Sequence, residues 1–178
     1  MAPSDEAEPV ENAPEVDPAD AVATALKDCG SSLSKKQGRF IAESIVDESA
    51  RHGYDPLFVQ AIVEVESTCR PTARSPAGAI GLIQLIPSTA RDVARRSGIR
   101  WQGTDGLMRP EVSLEIGLQY LAELEEHFSD PYLAMAAFNL GPGRVAAMHP
   151  RKARSSSYVR KVLSRYEDLL HEHALRPS

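Results

Sequence analysis

The chain of 178 residues has only two cysteines, Cys29 and Cys69, so neither a disulfide framework nor a four-ligand zinc site can be built from them. It has no run near the ~18 apolar residues of a membrane-spanning helix. Its start lacks the basic patch and apolar run of an export signal, so the expectation is a protein that stays inside, or a mature or trimmed form. Internal repeats are missing, and so is any strand-like alternation of apolar and polar residues. Acidic residues are missing locally. Between Glu66 and Asp92 there is no carboxylate, in a chain that has 25 of them.

The acidic balance is not spread evenly. Residues 1–30 hold eight acids against Lys27 alone, a net charge of −7 that leaves +2 for the rest of a chain whose total is −5. That N-terminal stretch is rich in proline and poor in large apolar side chains, which predicts a disordered tail or linker over 1–30 and a folded domain over 31–178. Hydrophobic residues at 42% are enough for one domain with a core. The two cysteines leave two readings, one bridge in an oxidising compartment or two small buried thiols.

From residue 34 on, the punctuation is that of helices. Ser34 with Gln37 is a capping box, and Gly53 stops the helix that follows. Asp55-Pro56 and Asp130-Pro131 are cap-proline starts, for helices to about Ser67 and to Gly141. Further helices are predicted from Pro87 to Gly98, Glu111 to Phe128 and Ser157 to His173, with an irregular stretch around Trp101. The fold class is all-α.

Glu66 lies on the wrong face of its helix. At ~100° per residue, Val59, Ile62 and Val63 fall within about 60° of it, whereas Glu64 points nearly opposite and reads as solvated. A carboxyl on an apolar stripe tends to keep its proton, which suits a general acid. The bland alternative is a structural glutamate paired with Arg70 or Arg74. The loop SPAGAIGLIQLIP supplies Ser75 and Gln84 among glycines that permit close backbone approach, and AAFNLGPGRV ends a helix on Asn139. By itself, each of these could be only a turn.

Taken in order, E-S-x-x-x-P-x-A-x-S-P-A-G-A-x-G-L-x-Q-x-x-P-x-T-A, E-I-G-L-Q-Y-L, A-A-F-N-x-G-P-G-R-V and Y-V-R-K-V-L resemble the catalytic domain of soluble lytic transglycosylases. These are relatives of goose-type lysozyme in glycoside hydrolase family 23. The likeness spans roughly residues 38–168. It implies a helical lysozyme-like fold, Glu66 as single acid/base, and Ser75, Gln84, Tyr120, Asn139 and Tyr158 along a glycan groove. It also implies peptidoglycan strands as partner, a monomer without cofactor or metal, and a place in the periplasm or cell envelope.

Three departures from the family pattern stand out. Ile83 replaces a usual Met, expected to alter packing on the sugar; Phe138 replaces a usual Tyr; and residues 68–70 replace a Gly-aromatic-Asn run. A hydrolytic lysozyme using a second carboxylate such as Asp105, or an inactive glycan-binding module, are the rival readings. A basic stretch from Arg144 to Arg165 lacks any nucleic-acid motif and suits an anionic cell-wall polymer instead.

Overall fold

The computed structural model describes residues 17–29 and 33–174. The first element is not the expected tail. Helix α1, Pro18–Asp28, starts at Asp17, whose side chain accepts the Ala19 amide at 2.9 Å. It buries Ala19, Val22, Ala25 and Leu26 against α2, Lys35–His52, and α3, Pro56–Ser67. Residues 17–29 therefore pack with the folded domain and not as part of the tail expected over 1–30. The physical reason is that small apolar residues at helical spacing suffice when the acids between them face outward. Arg39 of α2 gathers those acids, bonding Asp17 at 3.0 Å, along with Asp20 and Glu43. The expected disorder of residues 1–16 lies outside the described residues.

The helices with strong caps start where the sequence places them. Ser34 and Gln37 form the capping box of α2, and Asp55 accepts the Leu57 amide at 2.8 Å to start α3. Helix α4 runs Pro87–Ser97, followed by a 3-10 helix at Thr104–Met108 in the irregular stretch. Helix α5, Pro110–Phe128, packs against α2, α4 and the 3-10 helix and carries the fully buried Leu114, Ile116 and Leu118. Helix α6, Pro131–Leu140, begins at Asp130, which accepts from Tyr132 and Leu133.

Beyond Gly141 the sequence showed only a turn. The chain instead makes two single-turn helices, α7 at Pro142–Ala146 and α8 at Pro150–Arg154, each with proline in its first turn. Both rest on α6. The last helix, α9 at Ser157–Ala174, packs along α3 and touches α6. Among the described residues there is no strand, only the isolated bridges Arg74–Ile80 and Ile80–Leu85 that shape the loop after α3.

Cys29 and Cys69 are joined in a disulfide, closing a sequence separation of 40. Of the two open readings, the structure therefore has the bridge. It ties the end of α1 to the residue pair Thr68–Cys69, both left-handed at φ 53° and 55°, where non-glycine residues are uncommon.

Candidate active site

Helix α3 ends at the site. Val59, Ile62 and Val63 are buried, and Glu66, one turn beyond Ile62, is carried on their side of the helix at the edge of the core. Burial pushes the Glu66 carboxyl up to about 7, and the Tyr158 hydroxyl pulls it partly back. Neither Arg70 nor Arg74 pairs with it. Arg70 donates to the Ser67 carbonyl, and Arg74 to Asp105 at 3.3 Å. Among the described residues no cation forms an ion pair with Glu66. The bland alternative, a salt-bridged structural glutamate, is thus absent.

Tyr158, in the first turn of α9, is 7% exposed and faces Glu66. Its hydroxyl meets no partner at full hydrogen-bond geometry among the described residues. Burial raises it well above the usual tyrosine range, so it stays a neutral donor. Such a group favours the ionised form of Glu66, whereas the surrounding apolar residues favour the protonated form. The carboxyl is poised between giving and taking a proton near neutral pH.

The loop after α3 is held by its own backbone and by α5. Ser75 accepts the Ala79 amide at 3.0 Å, while its own amide donates to the Ala79 carbonyl. Gln84 takes a left-handed φ of 50° and donates its amide NH2 to the Gly81 and Ala73 carbonyls, at 2.9 and 3.2 Å. That use of the nitrogen leaves the Gln84 carbonyl oxygen as acceptor. Gly81, at φ 88°, lies against the Leu107 carbonyl, and a Cβ there would come within 2.1 Å of that oxygen. Only glycine lets the loop seat so deeply.

Ile83 is fully buried, and a Cβ on Gly117 of α5 would meet its Cγ2 at 2.4 Å. The expected contact of Ile83 with a sugar is therefore corrected. This side chain belongs to the core and pins the loop to α5. Tyr120 of α5 and Phe138 of α6 pack as a tilted pair with ring centroids 5.6 Å apart, and Asn139 is exposed at the end of α6. Asp105, the possible second carboxylate, is exposed and spent on Arg74. Packing joins these pieces in a chain, from Glu66 on α3 through Tyr158 on α9 to α6 and then to Tyr120 on α5.

One expectation about the neighbouring glutamate fails. Glu64 is not solvated; its side chain is only 11% exposed and receives Arg165 Nε at 2.5 Å and Gln60 Nε2 at 3.0 Å. Sequence reasoning missed this clamp because its partners lie 101 positions apart. Nor did it find Ser113, a buried hydroxyl 3.4 Å from the Ile83 amide. No local motif signals either of them.

Fold and site together define a helical domain with one proton-poised carboxyl beside a glycine-seated loop. The chain belongs to the Transglycosylase SLT domain family, whose model matches residues 43–160. It is 38% identical over 90 residues to a soluble lytic murein transglycosylase of Salmonella typhimurium, covering 49% of this chain and 14% of that protein. It is 37% identical over 107 residues to a membrane-bound lytic murein transglycosylase C of Glaesserella parasuis, covering 54% of this chain and 29% of that one. The match thus spans 14% and 29% of the two relatives' lengths, less than a third of either.

Among solved structures, an inactive Glu-to-Gln mutant of lytic transglycosylase Slt from Pseudomonas aeruginosa superposes with TM-score 0.64 at 30% identity, over 76% of this chain and 24% of that one. A 70-kDa soluble lytic transglycosylase in complex with bulgecin A superposes with TM-score 0.69 at 22% identity, over 89% of this chain and 30% of that one, a likeness of fold. The all-α, lysozyme-like fold is that of these neighbours.

Proposed function

We propose that this chain is the catalytic domain of a peptidoglycan lytic transglycosylase. It cleaves the MurNAc-β-1,4-GlcNAc bond without water and leaves 1,6-anhydro-MurNAc ends. The observation that carries the reading is Glu66, a carboxyl raised to about 7 by burial and in no ion pair with a cation among the described residues. Protonated Glu66 gives its proton to the leaving glycosidic oxygen, and the C1–O bond breaks. The neighbouring acetamido group of the substrate stabilises the positive charge at C1. Glu66, now a carboxylate and assisted by the Tyr158 hydroxyl, takes the proton of the C6 hydroxyl, whose oxygen closes on C1. The proton lost at the start is recovered at the end, so one carboxyl serves for both steps. Ordinary glycosidases use two carboxylates; here the acid-free loop and the Arg74-bound Asp105 supply no obvious second one.

Ser75, Gln84, Tyr120, Asn139 and Tyr158 line the glycan groove in this reading. Hydroxyls and amides suit the neutral acetamido and hydroxyl groups of the sugar chain. The Cys29–Cys69 bridge suits an oxidising compartment such as the cell envelope.

The test is digestion of purified peptidoglycan followed by mass analysis of the products. Anhydro-muropeptides are expected from the unsubstituted chain and a loss of at least ~10²-fold from Glu66→Gln, the contribution of acid–base catalysis. Reducing-end products alone would establish the hydrolytic lysozyme instead, and binding without cleavage the inactive module.

A further inference from the structure

From Pro131 to Tyr166 the chain has no aspartate or glutamate, yet it has seven Lys and Arg residues. Two of these are neutralised. Arg154 bonds Asp130, and Arg165 bonds Glu64 and Glu172. The other five, Arg144, Arg151, Lys152, Arg160 and Lys161, are exposed and form no ion pair among the described residues. Their elements are α7, α8 and the first two turns of α9, linked by short connections and all packed on α6, which itself has no acid. The acids on the packed faces are accounted for: Glu64 is held by Arg165, and Glu66 faces Tyr158. Two acids, Asp168 and the Arg165-bound Glu64, line the groove of about 570 Å³ that Arg160 and Lys161 share with Val65.

We propose that this basic edge is a second binding surface, which takes the carboxylates of the peptide stems carried by the glycan strand. The inference rests on the transglycosylase reading for the identity of the strand. Arg160 and Lys161 follow Tyr158 by two and three residues, so the cations border the proposed groove. Their spread over three helices fits charges repeated along a polymer better than one small anion in a pocket. Guanidinium groups also pair readily with carboxylates. A membrane surface fits less well, because the large exposed apolar side chains, Phe40, Ile86, Tyr132 and Leu170, lie outside α7, α8 and the start of α9. Nucleic acid fits less well because no Phe, Tyr or Trp stands exposed between the cations.

The test compares the full chain with the fourfold variant Arg144→Gln, Arg151→Gln, Lys152→Gln and Lys161→Gln, both in a Glu66→Gln background to keep strands intact. Binding is measured at several salt concentrations to four probes: peptidoglycan strands with their peptides, the same strands stripped by an amidase with the lactyl carboxylates so exposed capped as amides, a teichoic acid, and a short duplex DNA. The fourfold variant is expected to lose roughly tenfold in affinity for peptide-bearing strands at low salt, with a flatter salt dependence and unchanged binding to stripped strands. Equal affinity of both proteins for peptide-bearing strands overturns the proposal. So does an equal loss on stripped strands, or a preference of the unsubstituted surface for teichoic acid or DNA. Cleavage of stripped strands with Glu66 restored reports separately: the fourfold variant keeps it, and its absence in the unsubstituted chain sinks the transglycosylase reading alone.

Discussion

Arg165 Nε donates to Glu64 Oε2 at 2.5 Å, joining the last helix to the one that carries Glu66. The pair is mostly buried, with side-chain exposures of 23% and 11%, and Arg165 also holds Glu172 at 2.9 Å. Because Tyr158 sits on α9 and Glu66 on α3, this clamp fixes the two helices whose side chains meet in the site.

Glu64→Gln is therefore not a silent substitution. It leaves a half-buried guanidinium short of one carboxylate, and a loss of about 1–3 kcal/mol is expected by denaturant unfolding. Glu126→Gln, on an exposed position of α5, should stay within about 0.5 kcal/mol. Equal stability of the two variants would remove the clamp from the account.

Glu66 links activity to stability in opposite senses. Its folded value of about 7 stands above the ordinary 4.5, so the folded state holds the proton more tightly than the unfolded chain. That contribution is full below about pH 4.5 and is lost as pH rises through 7, on the order of 3 kcal/mol in all. Glu66→Gln should abolish the dependence and melt higher than the unsubstituted chain at pH 8, while losing cleavage. Melting curves from pH 4 to 8 check it; an unchanged slope would show that the carboxyl is not desolvated.

Tyr158→Phe removes the hydroxyl that favours ionised Glu66. The limb on which cleavage falls with rising pH should move to higher pH, because Glu66 then keeps its proton longer. A rate loss with an unmoved pH limb would assign Tyr158 to substrate contact only.

Reduction of Cys29–Cys69 releases a closed loop of 40 positions, with an expected cost of about 3–4 kcal/mol in the chain-entropy view and a melting point lower by roughly 10 °C. Deleting residues 1–29 should cost at least as much, because it strips α1 and its buried Ala19, Val22, Ala25 and Leu26 as well. A truncated protein as stable as the whole would show α1 to be dispensable.

Local signals in the sequence were enough for α2, α3 and α6. Ser34-Gln37, Asp55-Pro56 and Asp130-Pro131 act within a few residues of themselves, so their helices need no distant partner to be read. The side of α3 that carries Glu66 followed from a 3.6-residue period alone. Asp17-Pro18 is the same signal, and the acids and prolines around it masked the weak apolar stripe that α1 buries.

What the tertiary structure alone decided was pairing across distance. Glu64 reads as solvated on a wheel because the wheel does not contain Arg165, and Ile83 reads as a groove residue until Gly117 is seen beneath it. Likewise Cys29 and Cys69 stand equally as thiols or a bridge until α1 docks and brings their Cα atoms to 6.2 Å. A chain's own periodicity fixes which way a side chain points; which group meets it there is set by packing between helices that the sequence holds far apart.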